Sequence, residues 1–144
     1  MPVVSWTRID INPLPAPPPA DIIVPWLRLV DTIRGATHLM INATGDWTAL
    51  PGLLAPCGPD GLAGLVLPAD RVVLPDAPPG ALIGRIGGSS AGLKAEGAFV
   101  IGSRCVVPVP EGSIGPLFVS FNITARPVRL RMMVIEVSGA TPNL

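Results

Sequence analysis

The sequence has no tyrosine, one histidine, two cysteines and a single lysine, Lys94, among its ten basic residues. Each scarcity removes a class of function. His38 has no second histidine and no Cys-x-x-Cys pair to join it, so no zinc set is legible and it reads as a satisfied strand residue. No G-x-S-x-G elbow occurs, and Gly88-Ser89-Ser90 does not reproduce one, which leaves a Ser-His-Asp arrangement without its nucleophile. Gly84-Arg85-Ile86-Gly87-Gly88 fits neither G-x-G-x-x-G nor the Walker pattern, and no helix follows to receive a phosphate. The acidic residues are scattered over turns, with no pair spaced for glycosidic chemistry. The expectation is a protein that is not an enzyme and has no cofactor and no metal.

Charge is scarce as well. Charged residues make up 14% of the chain and cancel to a net charge of zero, so no basic field draws nucleic acid. Arg126, Arg129 and Arg131 do cluster near the C-terminus. They read as a solvated or interface-facing strand edge, with phosphate binding as the alternative. No apolar run reaches about 18 residues, so no membrane-spanning helix is expected. The opening MPVVSWTRID lacks a basic stretch and an apolar core, so no signal peptide is expected. Without one, Cys57 and Cys105 are expected to be free thiols; spacing alone leaves their pairing open. The sequons at Asn42 and Asn122 are then chance matches.

What the chain has in quantity is proline, glycine and aliphatic side chains. Nineteen prolines and sixteen glycines leave no stretch where a helix of three turns could run undisturbed. The fold class is therefore all-β, a sandwich or barrel of short strands separated by Gly and Pro. The segment PLPAPPPA, Pro13 to Ala20, predicts extended polyproline II. It divides residues 1–20, a first strand near Trp6–Asn12 plus a proline-rich arm, from the body of one domain at 21–144. Strands are predicted near Asp21–Trp26, Ala36–Thr44, Leu62–Leu67, Ala81–Gly87, Ala98–Ser103, Cys105–Val109, Pro116–Thr124 and Val128–Ser138. In LFVSFNIT, Leu117, Val119, Phe121 and Ile123 share one face, the core side. Phe118, Ser120, Asn122 and Thr124 share a more polar one. Thr124 to Pro127 reads as a hairpin turn into VRLRMMVIEV, which would place two long antiparallel strands at the centre of one sheet.

Hydrophobic residues reach 49% and the mean hydropathy is +0.55. That is high for a chain whose surface meets only water, so some of it is expected to face another protein chain. The looped middle, Gly45 to Gly80, is where a sandwich would carry a binding site. Trp6, Trp26 and Trp47 offer planes on which a sugar could stack, or anchors for a core or interface.

The succession Trp6-Thr7-Arg8-Ile9-Asp10, LMINATGDWTAL, GALIGRIGG, FVIGS and GPLFVSFNI resembles the PA-I-type galactophilic lectins and their relatives. The resemblance spans about Trp6 to Val137. It implies an antiparallel β-sandwich of jelly-roll or galactose-binding-like character, with Ala81–Gly87 as a central strand. Leu82, Ile83 and Ile86 would pack, the glycines would keep the strand thin, Arg85 would point outward and Gly88-Ser89-Ser90 would begin a flexible loop. The family's calcium and sugar site needs several oxygen ligands from an Asn-Asp pair and a following Asn-Asn. Here Asn122 matches the first Asn, Ile123 replaces the Asp, and the loop shrinks to Ala125-Arg126-Pro127. Calcium is therefore not expected. Trp47, Asp60 and Asn122 are the candidate residues for a carbohydrate site that works without it. The function implied is a structural or interaction module of a larger assembly, in a bacteriophage virion or contractile tail as decoration, collar or baseplate. The alternative is a calcium-independent lectin for cell-surface attachment. Its partners would be copies of itself, other virion proteins or a surface glycan.

Overall fold

A computed structural model of the chain describes residues 3–14, 20–23, 25–30, 32–33, 36–87, 97–110, 113 and 115–143. Nine strands run through these residues: β1 (Val3–Leu14), β2 (Ala20–Ile22), β3 (Leu27–Val30), β4 (His38–Ala49), β5 (Leu82–Ile86), β6 (Ala98–Val100), β7 (Arg104–Pro108), β8 (Leu117–Phe121) and β9 (Val128–Asn143). The described residues contain no α-helix and one 3-10 turn, Ala69–Arg71. The chain is all-β, as its proline and glycine spacing requires.

Two antiparallel sheets face each other. The first runs β1-β9-β4-β7 and the second β3-β8-β5-β6. β2 pairs with β9 at Val128 to Leu130, the same length of β9 whose other side pairs with β4. β1 and β2 are thus two lengths of one edge. With that edge counted once, eight strands remain in the order of a jelly roll. Of the segment expected to form polyproline II, Pro13 and Leu14 instead end β1 and Ala20 begins β2, where they pair with β9; residues 15–19 lie outside those described, as do Gly88, Ser89 and Ser90.

The core lies between the sheets. Leu39, Ile41, Ala43 and Trp47 of β4 and Val128, Leu130, Met133, Ile135 and Val137 of β9 meet Leu82, Leu117, Val119 and Phe121 from the other sheet. Each large aliphatic removed from water in this way is worth about 1.5–3 kcal/mol. Arginine, methionine and glutamate occupy the opposite face of β9, at Arg129, Arg131, Met132 and Glu136. The alternation slips once. Asp46 pairs with Met132 and Trp47 with Leu130, so Arg131 is the extra residue of a bulge. Gly45 sits against it at φ +150°, where a Cβ would collide with the Met132 carbonyl oxygen. Only glycine lets β4 pass this point.

In β5, Leu82 and Ile86 face the main core, whereas Ile83 joins a second cluster with Trp26, Val73 and Phe118 on the outside of the sheet. Arg85 lies on the same outer face as Ile83, opposite Phe118 and Ala98 in register. Gly84 is thin for a reason: it is paired with Phe99, whose ring and the Ile101 side chain occupy the space a Cβ would need.

Several expectations need correction. β8 and β9 are not a hairpin: they belong to different sheets, and Ala125 to Pro127 carries the chain across the sandwich. Both strands have one strongly apolar face, and facing each other across the core buries both. Leu62–Leu67 forms no strand but part of the loop between β4 and β5. Of the predicted strand Asp21–Trp26 only Asp21 and Ile22 lie in a strand, β2; Trp26 precedes β3, which starts at Leu27 in the other sheet. β4 runs on to Ala49 instead of ending at Thr44.

Candidate functional site

The loop from Leu50 to Ala81 connects the two sheets and folds over the outer face of β8. Being rich in proline and glycine, it makes few regular backbone bonds, and its polar groups need partners from elsewhere. Asn122 supplies them. Its Oδ1 accepts from the Val73 and Leu74 amides at 3.0 and 2.7 Å. Its Nδ2 donates to the carbonyls of Leu74, Ala77 and Pro78 at 3.0, 3.1 and 3.1 Å. The residue is 0% exposed. Its own backbone also holds the loop end, through Gly80 N to its carbonyl and its N to the Ala81 carbonyl.

Trp47 meets the same loop from the first sheet. Its Nε1 donates to the Gly80 carbonyl at 2.8 Å, and its ring stands edge-on to Phe121 with centroids 4.9 Å apart. It too is 0% exposed. Cys57 pairs with Trp47 through backbone hydrogen bonds in both directions. Neither cysteine is bonded to the other. Burial pushes both thiols, Cys57 and Cys105, up to about 11.

Of the three residues nominated for a sugar site, the structure therefore places two out of reach. Trp47 is a core anchor and Asn122 a loop clasp; they meet at Gly80, with no face left for a ligand. Asp60 is exposed, and its Oδ1 accepts from Ser103 N at 2.8 Å, tying its turn to the one before β7. Ile123, where the resemblance places a carboxylate, is buried in the core. No group of three or more His, Cys, Asp or Glu side chains among the described residues is placed to hold a metal ion.

The arginines divide. Arg129 and Arg131 lie exposed on the outer face of the first sheet and pair with Asp21 at 3.1 Å and Asp46 at 2.9 Å. Arg126 turns the other way and donates to Ser120 Oγ at 2.7 Å and to the Pro25 carbonyl at 3.3 Å. Burial lowers its pKa to about 10. Its Nε and Nη1 are buried without a hydrogen-bond partner among the described residues. His38 is exposed and its Nδ1 lies 3.3 Å from Thr37 Oγ1.

One surface concavity, of about 330 Å³, opens on the first sheet where β7 stops and β4 continues. Asn42 lines it, opposite Arg104 of β7 and Glu136 of β9 in register, together with Thr44 and Ser103. Apart from the Asn42 sequon, read as a chance match, these residues were not singled out from the sequence. Strand alternation marks them as outward-facing, but only the register of three strands distant in sequence brings them together.

The strand order and buried loop define a jelly-roll β-sandwich whose most conspicuous polar cluster is structural. No protein-family model matches the chain, and no curated protein matches it.

Proposed function

We propose that this chain is a non-enzymatic interaction module, a lectin-like sandwich serving as a building block of a larger assembly. The setting that fits its composition is a bacteriophage virion or contractile tail, as a decoration, collar or baseplate part. The observation that carries this reading is an apolar end left in water. Ile23, Leu53 and Val66 are 72%, 80% and 89% exposed. Ile23 follows β2 and Leu53 follows β4, and both strands pair with Val128 at their ends. Val66 belongs to the loop that reaches Thr124 through the Arg71 carbonyl. Exposed aliphatics gathered at one end mark a surface made to be covered.

Sedimentation equilibrium over a wide range of protein concentration tests this. Self-association weakened by Leu53→Lys together with Val66→Lys supports it, and a strict monomer at the highest concentration refutes it.

The second reading, calcium-independent binding of a cell-surface glycan, is favoured by the concavity around Asn42. The neutral groups of Asn42, Thr44 and Ser103 there match sugar hydroxyls, which both donate and accept. A glycan array with and without chelator, repeated on Asn42→Ala, tests it; binding untouched by that substitution removes this site.

A further inference from the structure

The edge of the first sheet formed by β7 carries a second assignment, which rests on the reading of the chain as a self-associating building block and names one of its contacts. We propose that β7 pairs with β7 of a second copy about a two-fold axis at Val106, continuing the sheet from one molecule into the next.

The hydrogen-bond pattern fixes which groups are on offer. Ala43 N donates to the Ser103 carbonyl on one side of the β4–β7 pair, and Val109 N to the Thr37 carbonyl on the other. Antiparallel pairs alternate between bonded and non-bonded positions. The register, Ile41 opposite Cys105 and Leu39 opposite Val107, therefore spends the backbone of Cys105 and Val107 on β4. Arg104, Val106 and Pro108 turn their backbone groups the other way. Among the described residues, no strand pairs with β7 on that side.

This edge is complementary to itself in one register. With Val106 opposite Val106 of a second copy, the two residues exchange both backbone bonds. Arg104 then lies opposite Pro108, and its N–H donates to the Pro108 carbonyl. Proline has no N–H to give, and this register asks it only to accept. Two-fold symmetry repeats that bond at the other end.

The side chains agree with the backbone. Val106 is 57% exposed on the outer face, and a second Val106 beside it would cover it. The two Arg104 side chains fall at opposite ends of the paired strands, about 13 Å apart along them, so they do not repel strongly. The net charge of zero sets no long-range barrier between copies. Of the devices that guard a free edge, β7 has the charge of Arg104 and the missing N–H of Pro108, both of which this register accommodates, and it has no lysine, inward charge or bulge. Its neighbouring edge strand, β6, leaves Val100 43% exposed. An apolar hollow of about 290 Å³ lies between the two edges, lined by Phe99, Val107, Pro108 and Pro110 among others.

The test is a cross-link at the axis. In this register the two Val106 Cα atoms stand about 5.5 Å apart, inside the span a disulfide bridges. Val106→Cys is expected to form a covalent dimer under mild oxidation, while the wild type, with both thiols largely shielded, does not. Met132→Cys, 46% exposed on the outer face of β9 and off both the axis and the loops that carry Leu53 and Val66, serves as the control for chance collision. A second variant, Val106→Pro, removes one outward N–H that the fold does not use. It is expected to keep the thermal transition of the wild type and to raise the dimer dissociation constant at least tenfold. Cross-linking of Val106→Cys no faster than Met132→Cys, with association unchanged in Val106→Pro, overturns this contact and leaves the building-block reading standing. A wild type that stays monomeric overturns both.

Discussion

Replacing Asn122 by alanine tests the account of the loop most directly. Five hydrogen bonds converge on this one amide. Its two hydrogens serve three carbonyls, so about four bonds' worth of stabilisation is at stake, near 1 kcal/mol each net of solvation. The substitution strands two amides and three carbonyls inside the fold, and a loss of about 4 kcal/mol is expected. A domain of this length has about 7–20 kcal/mol in total, so the variant should still fold. Its melting temperature is expected to fall by about 13 °C. The urea midpoint should move by about 2 M for an m-value near 2 kcal/mol/M. Asn122→Asp sharpens the test. It keeps the size and the acceptors but loses the donors, leaving a carboxylate against three carbonyls. Burial among them raises the pKa of that carboxyl in the folded state. The folded chain would then hold a proton that the unfolded chain releases above about pH 4. The defect of Asn122→Asp is therefore expected to deepen as pH rises from 4 to 8, while that of Asn122→Ala stays flat. A loss under about 1 kcal/mol in Asn122→Ala would refute the clasp.

Two further outcomes follow from the geometry. Gly45→Ala drives a methyl group into the Met132 carbonyl and is expected to cost about 2–4 kcal/mol by thermal denaturation, against a few tenths for an ordinary surface site. Cys57 and Cys105, with thiols raised from 9.0 to about 11, should react slowly with Ellman's reagent in the native protein and fast on denaturation. The same shift makes stability fall as pH climbs from about 9 to about 10, because only the unfolded chain loses those protons readily, before the lowered pKa of Arg126 acts with the opposite sign; a urea midpoint flat between about pH 9 and 10 would contradict the shielding of both thiols.

Most of the strands were legible because alternation and punctuation are local. The alternation of β9 from Val128 onward and the glycine-bounded run of β5 are written in consecutive residues. The division of β8 and β9 between sheets was not, since a turn sequence states that the chain reverses but not whether it stays in one layer. The candidate site failed for a related reason. Asn122 does lie on the more polar face of β8, yet what covers that face is a loop about fifty residues earlier. The available clue was the loop itself. A long stretch dense in proline cannot satisfy its own backbone, and a nearby Asn, with donors and acceptors together, is the side chain suited to do so. Trp47 looked like a ligand-facing ring because β4 was expected to end before it. Once Gly45 carries the strand through the bulge, its indole points inward.

The position of β9 has a consequence for how the molecule comes into being. It lies between β1 and β4 in space, yet it leaves the ribosome after both, and after every other strand described. Until it arrives, β1 has no strand to join and β4 lacks its longest neighbour. The first sheet is then two halves with a missing centre. Folding of the sandwich waits for β9 to be made, closes contacts more than a hundred residues apart, and belongs among the slow, non-local cases. During that interval the growing chain displays its aliphatic faces to whatever is nearby, and quick delivery of β9 protects it.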